Sequence, residues 1–194
     1  MVRDFIISLR SVLVLWGLTV IIYPLFILLV GQLFFPFQAN GSLLTNAQGQ
    51  VIGSALIGQS FTSNEYFWSR PSVIDYSETA EAVPTGLSGA SNLAPSNPEL
   101  MEQIEAELER LQTANVQPTA DRLYSSGSGL DPHISIAAAQ AQVERIAESR
   151  ALPVEAVQDL ISDHTQGRFL GIFGEPGVNV LQLNLALDQI IEPG

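Results

Sequence analysis

A long uncharged stretch lies near the N-terminus, where 21 consecutive residues from Ser11 to Gly31 include no acidic or basic side chain. As an α-helix rising about 1.5 Å per residue, this stretch would extend roughly 30 Å, the thickness of the hydrocarbon core of a bilayer. A cleaved signal peptide is the alternative, but its apolar region usually has about 7–15 residues. Because the apolar character continues to Phe35, we expect residues 11–35 to form an uncleaved transmembrane helix.

The arginines around this stretch predict its orientation. Arg3 and Arg10 precede it, and the next basic residue is Arg70. Basic residues next to membrane helices are retained on the cytoplasmic side. Residues 1–10 are therefore expected in the cytoplasm, and residues 36–194 should form one extracytoplasmic domain.

Four residues within the predicted helix, Gly17, Thr19, Tyr23 and Pro24, are candidates for contacts with neighbouring helices. Small residues let helices approach closely, and a neighbouring helix or a polar side chain can satisfy the carbonyl that a proline frees. A lone kinked helix surrounded by membrane lipid is the alternative.

The residues after Phe37 are strongly acidic. They include six arginines and 19 acidic residues, a net charge of −13. Such a surface argues against nucleic acid as a partner, because binding a phosphate backbone needs clustered cations. The chain also has no Lys and no Cys, which removes disulfide bonds, thiolate metal sites and a cysteine nucleophile.

The first part of the outer domain combines strand and helix signals. Leu43–Leu44 and Val51–Ile52 flank the turn sequence Asn46–Gly49, as in a short hairpin. A helix should begin at Pro98, with Asn97 as its N-cap. Its inward face would consist of apolar residues at helical spacing: Leu100, Met101, Ile104, Leu108 and Leu111.

Three later segments complete the prediction of an α+β domain. Residues 131–149 begin with an Asp-Pro pair and predict a second helix, and residues 153–163 predict a third. Leucines alternate with other residues over 181–187, which favours a half-buried strand. Residues 69–98 are rich in Pro, Gly and Ser and lack periodicity, so this stretch is either a loop ordered by docking of its side chains or a mobile one.

The sequence lacks the usual motifs for ATP chemistry. A P-loop needs a Lys that reaches the phosphates, and a P-type pump phosphorylates an Asp followed by Lys-Thr-Gly. Without any Lys neither motif exists. The glycine clusters at 127–129 and 171–177 do not complete G-x-G-x-x-G after a strand, so we interpret them as turns. We expect this chain to hold no cofactor and to have no catalytic activity of its own.

Two histidines and two arginines are the remaining candidates for chemistry. His133 follows Asp131 closely, and His164 ends the predicted third helix. They could contribute to a metal site or a Ser-His-Asp set only if the fold brought them together. The simpler hypothesis is that Asp131 is a helix cap and that His164 complements a helix C-terminus. Arg70 and Arg168 would tie loops by forked hydrogen bonds.

Several short blocks with a characteristic sequence are spread along the chain: Tyr23–Pro24, Gln38–Leu43, Arg70–Ser72, Pro95–Pro98, Ser126–Ser135, His164–Thr165, Gly167–Arg168, Gly174–Pro176 and Leu183–Asp188. Together these blocks resemble the C subunit of the bacterial Kdp potassium-transporting ATPase. Ala90 and Ile136 are small departures from that pattern. The residues that carry the strongest part of the resemblance are Gly127, Ser128, Gly129, Asp131, His133, His164 and Arg168.

The resemblance implies an accessory subunit of an ATP-driven pump in the bacterial inner membrane that takes up potassium with high affinity. Its partners would be a channel-like potassium-translocating subunit, a P-type ATPase subunit and a small single-span subunit. ATP, magnesium and potassium would act in that complex. The family is described as needed for assembly and as a catalytic chaperone that raises the ATP affinity of the ATPase subunit. From the predicted topology, that effect would be an allosteric coupling across the membrane.

A second class remains open at the level of sequence. A membrane-tethered hydrolase or binding protein that acts alone would have the same anchor and an outer domain of the same size. Copurification with the other subunits separates the two classes, because only an accessory subunit forms a stable complex with them.

Overall fold

The computed structural model describes residues 1–46, 49–79 and 86–191. The chain divides into two compact units, Met1–Leu43 and Leu44–Gly194. The first unit is helical and the second mixes helices with short strands, so the predicted α+β class is confirmed. Ala47 and Gln48 of the predicted hairpin turn, and residues 80–85 of the predicted irregular stretch, lie outside the described residues.

The first unit contains a helix, Val2–Phe34, that is long and apolar enough to cross a membrane. It consists of α1 (Val2–Trp16), a π-helical segment (Gly17–Ile22) and α2 (Tyr23–Phe34), and the short helix α3 (Pro36–Ala39) follows. The apolar side chains of the long helix are exposed. Exposure of this kind fits a helix that is surrounded by lipid or by other membrane helices.

The π-helical segment lies next to Pro24, which explains its presence. A proline inside an α-helix has no N–H to donate, and its ring clashes with the carbonyl four residues earlier. Here the N–H of Tyr23 bonds to the carbonyl of Leu18, five residues earlier. The hydroxyl of Thr19 donates to the carbonyl oxygen of Leu15 at 2.9 Å. Contacts of this region with neighbouring helices remain a prediction.

The second unit begins at the predicted hairpin, in which β1 (Leu43–Thr45) and β2 (Val51–Ser54) form a two-stranded sheet. Its helices are α4 (Pro98–Thr113), α5 (Ala120–Leu123), α6 (Ile136–Gln140), α7 (Val143–Arg150), α8 (Val154–Asp163) and α9 (Val180–Ile191). A second sheet contains β3 (His133–Ile134), β4 (Thr165–Gln166) and β5 (Gly177–Asn179). Both β3 and β4 pair antiparallel with the central β5.

The two helix predictions at α4 and α8 are confirmed. The side chain of Asn97 caps α4 by accepting the N–H of Glu99 at 3.0 Å, as is usual for an N-cap asparagine. On the predicted inward face of α4, Leu111 is fully buried, but the side chain of Met101 is 51% exposed and so does not belong to that face. Helix α8 begins directly after Pro153.

The predicted single helix over residues 131–149 is wrong. Its first residues form β3, which pairs His133 with Asn179 in the central strand. Helix α6 starts only after Ser135, whose hydroxyl accepts the N–H of Ala138 at 3.0 Å. A break follows at Gln142, between α6 and α7.

The predicted strand over residues 181–187 is also wrong, because this segment lies within α9. Leucines at every second position include Leu183 and Leu187, which are four residues apart and therefore share one face of a helix. Val180 and Asn184 complete that face, and all four residues are buried. The segment also has few β-branched residues, which favours a helix.

The main core lies where α6, α7, α8 and α9 pack against the three-stranded sheet. Its buried members are Phe67, Ile134, Ala138, Ala139, Val143, Ile146, Ala147, Val157, Leu160, Ile161, Val178, Val180, Leu183 and Leu187. A second, smaller cluster joins Trp68 to Leu111 of α4 and to Val116. Phe67 and Trp68 are adjacent in sequence, so the irregular segment between β2 and α4 contributes to both cores.

Candidate functional site

The glycine-serine motif before β3 is a centre of hydrogen bonds. The hydroxyl of Ser126 accepts the N–H of Gly129 at 3.1 Å, and the N–H of Ser126 donates to the carbonyl of Pro71 at 2.9 Å. The carbonyl of Ser128 accepts the N–H of Gly89 at 2.9 Å. The motif thus ties together the described parts of the irregular stretch, and the hydroxyl of Ser72 donates to the carbonyl of Gly129 at 2.8 Å, as the ordered alternative requires.

Close packing explains one glycine of the motif. Gly129 has φ +67°, a conformation that only glycine adopts without strain. A Cβ atom there would lie 2.5 Å from Cγ1 of Ile74 and 2.7 Å from the carbonyl oxygen of Gly89. A Cβ on Gly127, by contrast, would meet no atom within 4 Å. Gly129 is therefore required by the fold, and Gly127 faces open space.

Asp131 links the motif to a distant arginine and to the nearer histidine. Nη1 of Arg70 donates to Oδ2 of Asp131 at 2.9 Å, and Oδ1 accepts the backbone N–H of His133 at 3.0 Å. Nδ1 of His133 lies 3.8 Å from Oδ1, and its Nε2 is 3.2 Å from Oε1 of Gln166. Asp131 thus forms a turn at the entry to β3, and the prediction that it caps a helix is wrong.

The same contacts shift the acidity of both groups. Burial disfavours the charged form of Asp131, but hydrogen bonds from His133 and Arg70 outweigh it and lower the pKa of the carboxyl. The Asp131 carboxylate in turn raises the pKa of His133, with burial opposing it. The three side chains therefore form a charged brace between the irregular stretch and the sheet.

His164 and Arg168 flank β4, which lies on the other side of β5 from β3. His164 is the C-cap of α8, and its Nδ1 is 2.9 Å from the carbonyl oxygen of Leu160, in agreement with its expected place at a helix C-terminus. Nη2 of Arg168 reaches both carboxylate oxygens of Glu175, at 2.8 and 3.0 Å. Arg70 and Arg168 each tie a loop, but each uses one nitrogen rather than the predicted fork.

Three arginines surround the ring of Trp68, an arrangement that the sequence analysis missed. The guanidinium carbons of Arg145, Arg110 and Arg122 lie 3.9, 4.2 and 5.9 Å from the ring centroid. Cations over an indole ring are stabilised by its quadrupole, more so when water is excluded. Glu107 balances part of this charge, with Oε1 2.6 Å from Arg110 and 3.3 Å from Arg122.

Arg145 is held by uncharged carbonyl and amide oxygens rather than by a carboxylate. Its Nη1 donates to the carbonyl of Asn64 at 2.5 Å, and its Nη2 donates to the carbonyl of Tyr66 at 3.0 Å and to Oε1 of Gln142 at 2.7 Å. Burial lowers the pKa of Arg145 and of Arg122 to about 10. Both side chains therefore remain charged at neutral pH and connect helices to the irregular segment.

A small cleft of about 200 Å³ opens beside Trp68 and Arg70. One wall is a left-handed turn in which Asp75, Tyr76 and Ser77 have φ of 45°, 55° and 58°. The hydroxyl of Tyr76 donates to the carbonyl of Arg70 at 2.6 Å, and burial raises the pKa of this phenol to about 12. The cleft is smaller than the roughly 300–1,000 Å³ of typical ligand sites.

The arrangement is that of a cross-braced module. Within residues 1–46, 49–79 and 86–191, no three or more His, Asp or Glu side chains are placed to hold a metal ion. His133 and His164 bond to different partners, the side chain of Gln166 and the carbonyl oxygen of Leu160. One signal for the arginines was available in the sequence, because arginine is favoured over lysine for buried ion pairs and for stacking on aromatic rings, and the chain contains Arg but no Lys.

These features define a class: the chain fits a single-pass membrane protein in which an N-terminal apolar helix precedes a braced α+β domain. The family model for the c chain of the K⁺-transporting ATPase, KdpC, matches residues 5–189. The chain therefore belongs to the KdpC family.

Individual relatives agree with the family match. The KdpC subunit of the potassium-transporting ATPase of Synechocystis sp. is 69% identical over 188 residues, covering 97% of this chain and 99% of the relative. KdpC subunit 1 of Nostoc sp. is 58% identical over 190 residues, covering 94% of each chain. The subunit of Methylococcus capsulatus is 45% identical over 194 residues, covering 98% of this chain and all of the relative.

Proposed function

We propose that this chain is a non-catalytic accessory subunit of a bacterial inner-membrane potassium-transporting ATPase. Its helix packs against helices of partner subunits, with the N-terminus in the cytoplasm, and the α+β domain lies outside. The partners are a channel-like potassium-translocating subunit, a P-type ATPase subunit and a small single-span subunit. ATP, magnesium and potassium act on those partners, and this chain is needed for their assembly.

One observation carries the proposal. Asp131 and His133 of the most specific motif are used inside the domain, where Asp131 contacts both Arg70 and His133. In a catalytic triad the second ring nitrogen of such a histidine faces a hydroxyl or thiol nucleophile, whereas Nε2 of His133 lies 3.2 Å from the amide oxygen Oε1 of Gln166. A rigid domain with its polar groups engaged in this way supports a role in binding to other proteins. A family name that refers to one chain of a transport ATPase supports the same role.

A role as catalytic chaperone requires coupling over a distance. The chain has no Lys for a phosphate site, and in the proposed topology the domain is separated from ATP by the membrane. Higher ATP affinity of the ATPase subunit would therefore reflect a conformational equilibrium that this chain biases through its contacts. The π-helical segment at Gly17–Ile22 is a candidate for such a contact, since irregular helical turns of this type are frequent at functional positions.

Copurification tests the proposal directly. An affinity tag on this chain, expressed together with the other subunits, should recover a channel-like protein and a P-type ATPase in fixed ratio. ATP hydrolysis should be absent from the purified chain alone and present in the complex. A monodisperse chain with its own hydrolytic activity, or micromolar binding of Mg-ATP to the isolated full-length chain by calorimetry, would contradict the proposal.

Orientation is tested separately by fusions after Gly194. Alkaline phosphatase is active only outside the cytoplasm. Green fluorescent protein fluoresces in the cytoplasm but stays dark when it is exported in the unfolded state. We expect an active phosphatase and a dark fluorescent protein, and the reverse result would show that the topology is wrong.

A further inference from the structure

The loop between β4 and β5 presents a group of apolar side chains to solvent. Phe169, Leu170, Ile172 and Phe173 are 71%, 73%, 73% and 61% exposed. Together with Gly171 they form what we call the apolar tip, residues 169–173. Exposed apolar patches bordered by polar residues mark surfaces that bind another molecule.

The apolar tip is a closed hairpin and not a loose loop. The N–H of Phe169 donates to the carbonyl of Phe173 at 2.8 Å, and the N–H of Phe173 donates back to the carbonyl of Phe169 at 3.0 Å. Just outside this pair, the ion pair between Arg168 and Glu175 closes the base of the loop. A surface that is already ordered loses less conformational entropy on binding, which favours affinity.

Leu170 combines an unfavourable backbone conformation with an exposed apolar side chain. Its φ is +54°, a region where Gly or Asn is preferred and where other residues cost of order 1–3 kcal/mol. A leucine in this position would be favoured by burial, yet the side chain is 73% exposed. The missing burial points to a partner.

We propose that the apolar tip inserts into an apolar pocket on the outer surface of another protein subunit of the ATPase complex. This inference rests on the proposed function and adds to it a contact surface and the chemistry of its partner. The pocket has a neutral or basic rim, and its floor contacts Leu170 and Ile172 at the end of the hairpin.

Charge argues for this occupant over two others. The residues after Phe37 carry a net charge of −13, so an anionic bilayer surface and a second copy of the chain would both repel the domain. The base of the tip adds no cation that could attract lipid head groups, because Arg168 is neutralised by Glu175 at 2.8 Å. A protein pocket with a neutral or basic rim would bury the apolar side chains of the tip without repelling the acidic domain.

A fluorescent label at the tip tests the occupant. Because the chain has no Cys, Ile172→Cys in the full-length chain accepts a polarity-sensitive dye at one site, and Met101→Cys on α4 is the matched exposed control. The labelled chain is placed in nanodiscs of phosphatidylethanolamine and phosphatidylglycerol, alone or assembled with its partner subunits. We expect the emission from position 172 to shift to the blue only in the complex, and that from position 101 to shift in neither. A blue shift in nanodiscs with this chain alone, or none in the complex, would overturn the proposal.

A second variant tests the contribution of the tip to assembly. Leu170→Asn keeps a residue that tolerates positive φ and removes the apolar side chain. We expect the thermal stability of the chain to be equal or slightly higher, because Asn tolerates the positive φ, but recovery of partner subunits should fall about tenfold or more at limiting concentration, as the loss of one buried apolar side chain predicts. Met101→Gln, the control, should retain full recovery. An intact complex with Leu170→Asn overturns this inference alone, whereas a wild-type chain that recovers no subunit overturns the proposed function as well.

Discussion

Arg70 and Asp131 are 61 residues apart in sequence and form an ion pair with an Nη1–Oδ2 distance of 2.9 Å. The side chains are 25% and 29% exposed, so water screens the pair only in part. Asp131 also shapes the turn into β3, which means that one carboxylate fixes both the irregular stretch and the first strand of the sheet. Loss of this charge should therefore affect more than one local contact.

Asp131→Asn should destabilise the domain by about 1–3 kcal/mol, because the amide can still accept the N–H of His133 but leaves Arg70 without its charged partner. Denaturant unfolding of the full-length chain in detergent, followed by near-UV circular dichroism, measures the effect. Asp159→Asn removes an exposed acid on α8 and should change stability by less than about 0.5 kcal/mol. Equal effects of the two substitutions would show that the brace is unimportant.

The two glycines of the motif should respond differently to substitution. In Gly129→Ala the new methyl group meets Ile74 and Gly89 at a positive φ, and we expect a loss of about 2–4 kcal/mol from overpacking and backbone strain together. Gly127→Ala places its methyl group in open space and should be within about 0.5 kcal/mol of the wild type. The same unfolding measurement compares them, and a harmless Gly129→Ala would contradict the described loop packing.

The brace should also give the stability a dependence on pH near neutrality. Because Asp131 raises the pKa of His133 above its ordinary value of 6.5, the folded state holds the proton more tightly than the unfolded state. The resulting stabilisation is complete below about pH 6.5 and is lost as the pH rises through the folded-state pKa. The wild type should therefore unfold more easily at pH 8 than at pH 6.

Comparison of variants isolates this effect. His133→Gln should lose the part of the pH dependence that belongs to the brace, whereas His164→Gln should keep it. Thermal unfolding of the full-length chain in detergent at pH 6, 7 and 8 provides the measurement. If the unfolding temperature of His133→Gln differed between pH 6 and pH 8 as much as that of the wild type, the stabilising proton would be bound by another group.

Local sequence signals predicted a helix and the place where it begins correctly where the helix has its own start signal and an uninterrupted pattern of apolar residues. Asn97 and Pro98 at the start of α4, and Pro153 before α8, set those boundaries correctly. The segment at 131–149 has competing signals. Asp131 and Pro132 resemble a helix start, but pairing of β3 with β5 gives His133 and Ile134 an extended conformation, and such pairing depends on residues about 45 positions away.

Buried polar residues account for much of what the sequence did not reveal. The predicted strand over 181–187 would place Asn184 on the face opposite the leucines, yet its side chain accepts the N–H of Phe67 at 2.8 Å and donates to the carbonyl of the same residue at 3.0 Å. Gln142 similarly accepts the N–H of Trp68 at 2.8 Å. These contacts join segments distant in sequence, so no local periodicity could have predicted them. For α9 itself the sequence did contain a signal, because the buried residues Val180, Leu183, Asn184 and Leu187 have the spacing of one helical face.

The arginines around Trp68 should be essential to the stability of the domain. Arg145→Met keeps a long apolar side chain but removes the donor to the carbonyl of Tyr66, whereas the carbonyl of Asn64 still accepts the hydroxyl of Ser149 at 2.9 Å. We expect a loss of about 2–4 kcal/mol. Arg168→Met removes an exposed pair with Glu175, for which about 0–1 kcal/mol is typical. Denaturant unfolding compares the two variants. A cost for Arg145→Met no larger than that for Arg168→Met would show that the guanidinium is dispensable.

The acidic face of α4 should gather cations near the potassium-translocating subunit through its summed field. Glu102, Glu105 and Glu109 are exposed, so their charges can act at a distance, whereas Glu107 is engaged by Arg110 and Arg122. Fields of exposed charges are screened beyond about 8 Å at physiological ionic strength.

Replacement of the three exposed glutamates by Gln should therefore raise the half-saturating potassium concentration of the complex at low ionic strength and change it little at high ionic strength. The maximal ATPase rate should stay the same, because the substitution alters the supply of cations and not the catalytic steps. The matched control removes three exposed acids from other helices, in Glu144→Gln, Glu148→Gln and Asp159→Asn. If the potassium dependence of a fully assembled complex were unchanged by the α4 substitutions at low ionic strength, these acids would serve only to keep the domain soluble. An equal shift in the control would assign the effect to net charge and not to this helix.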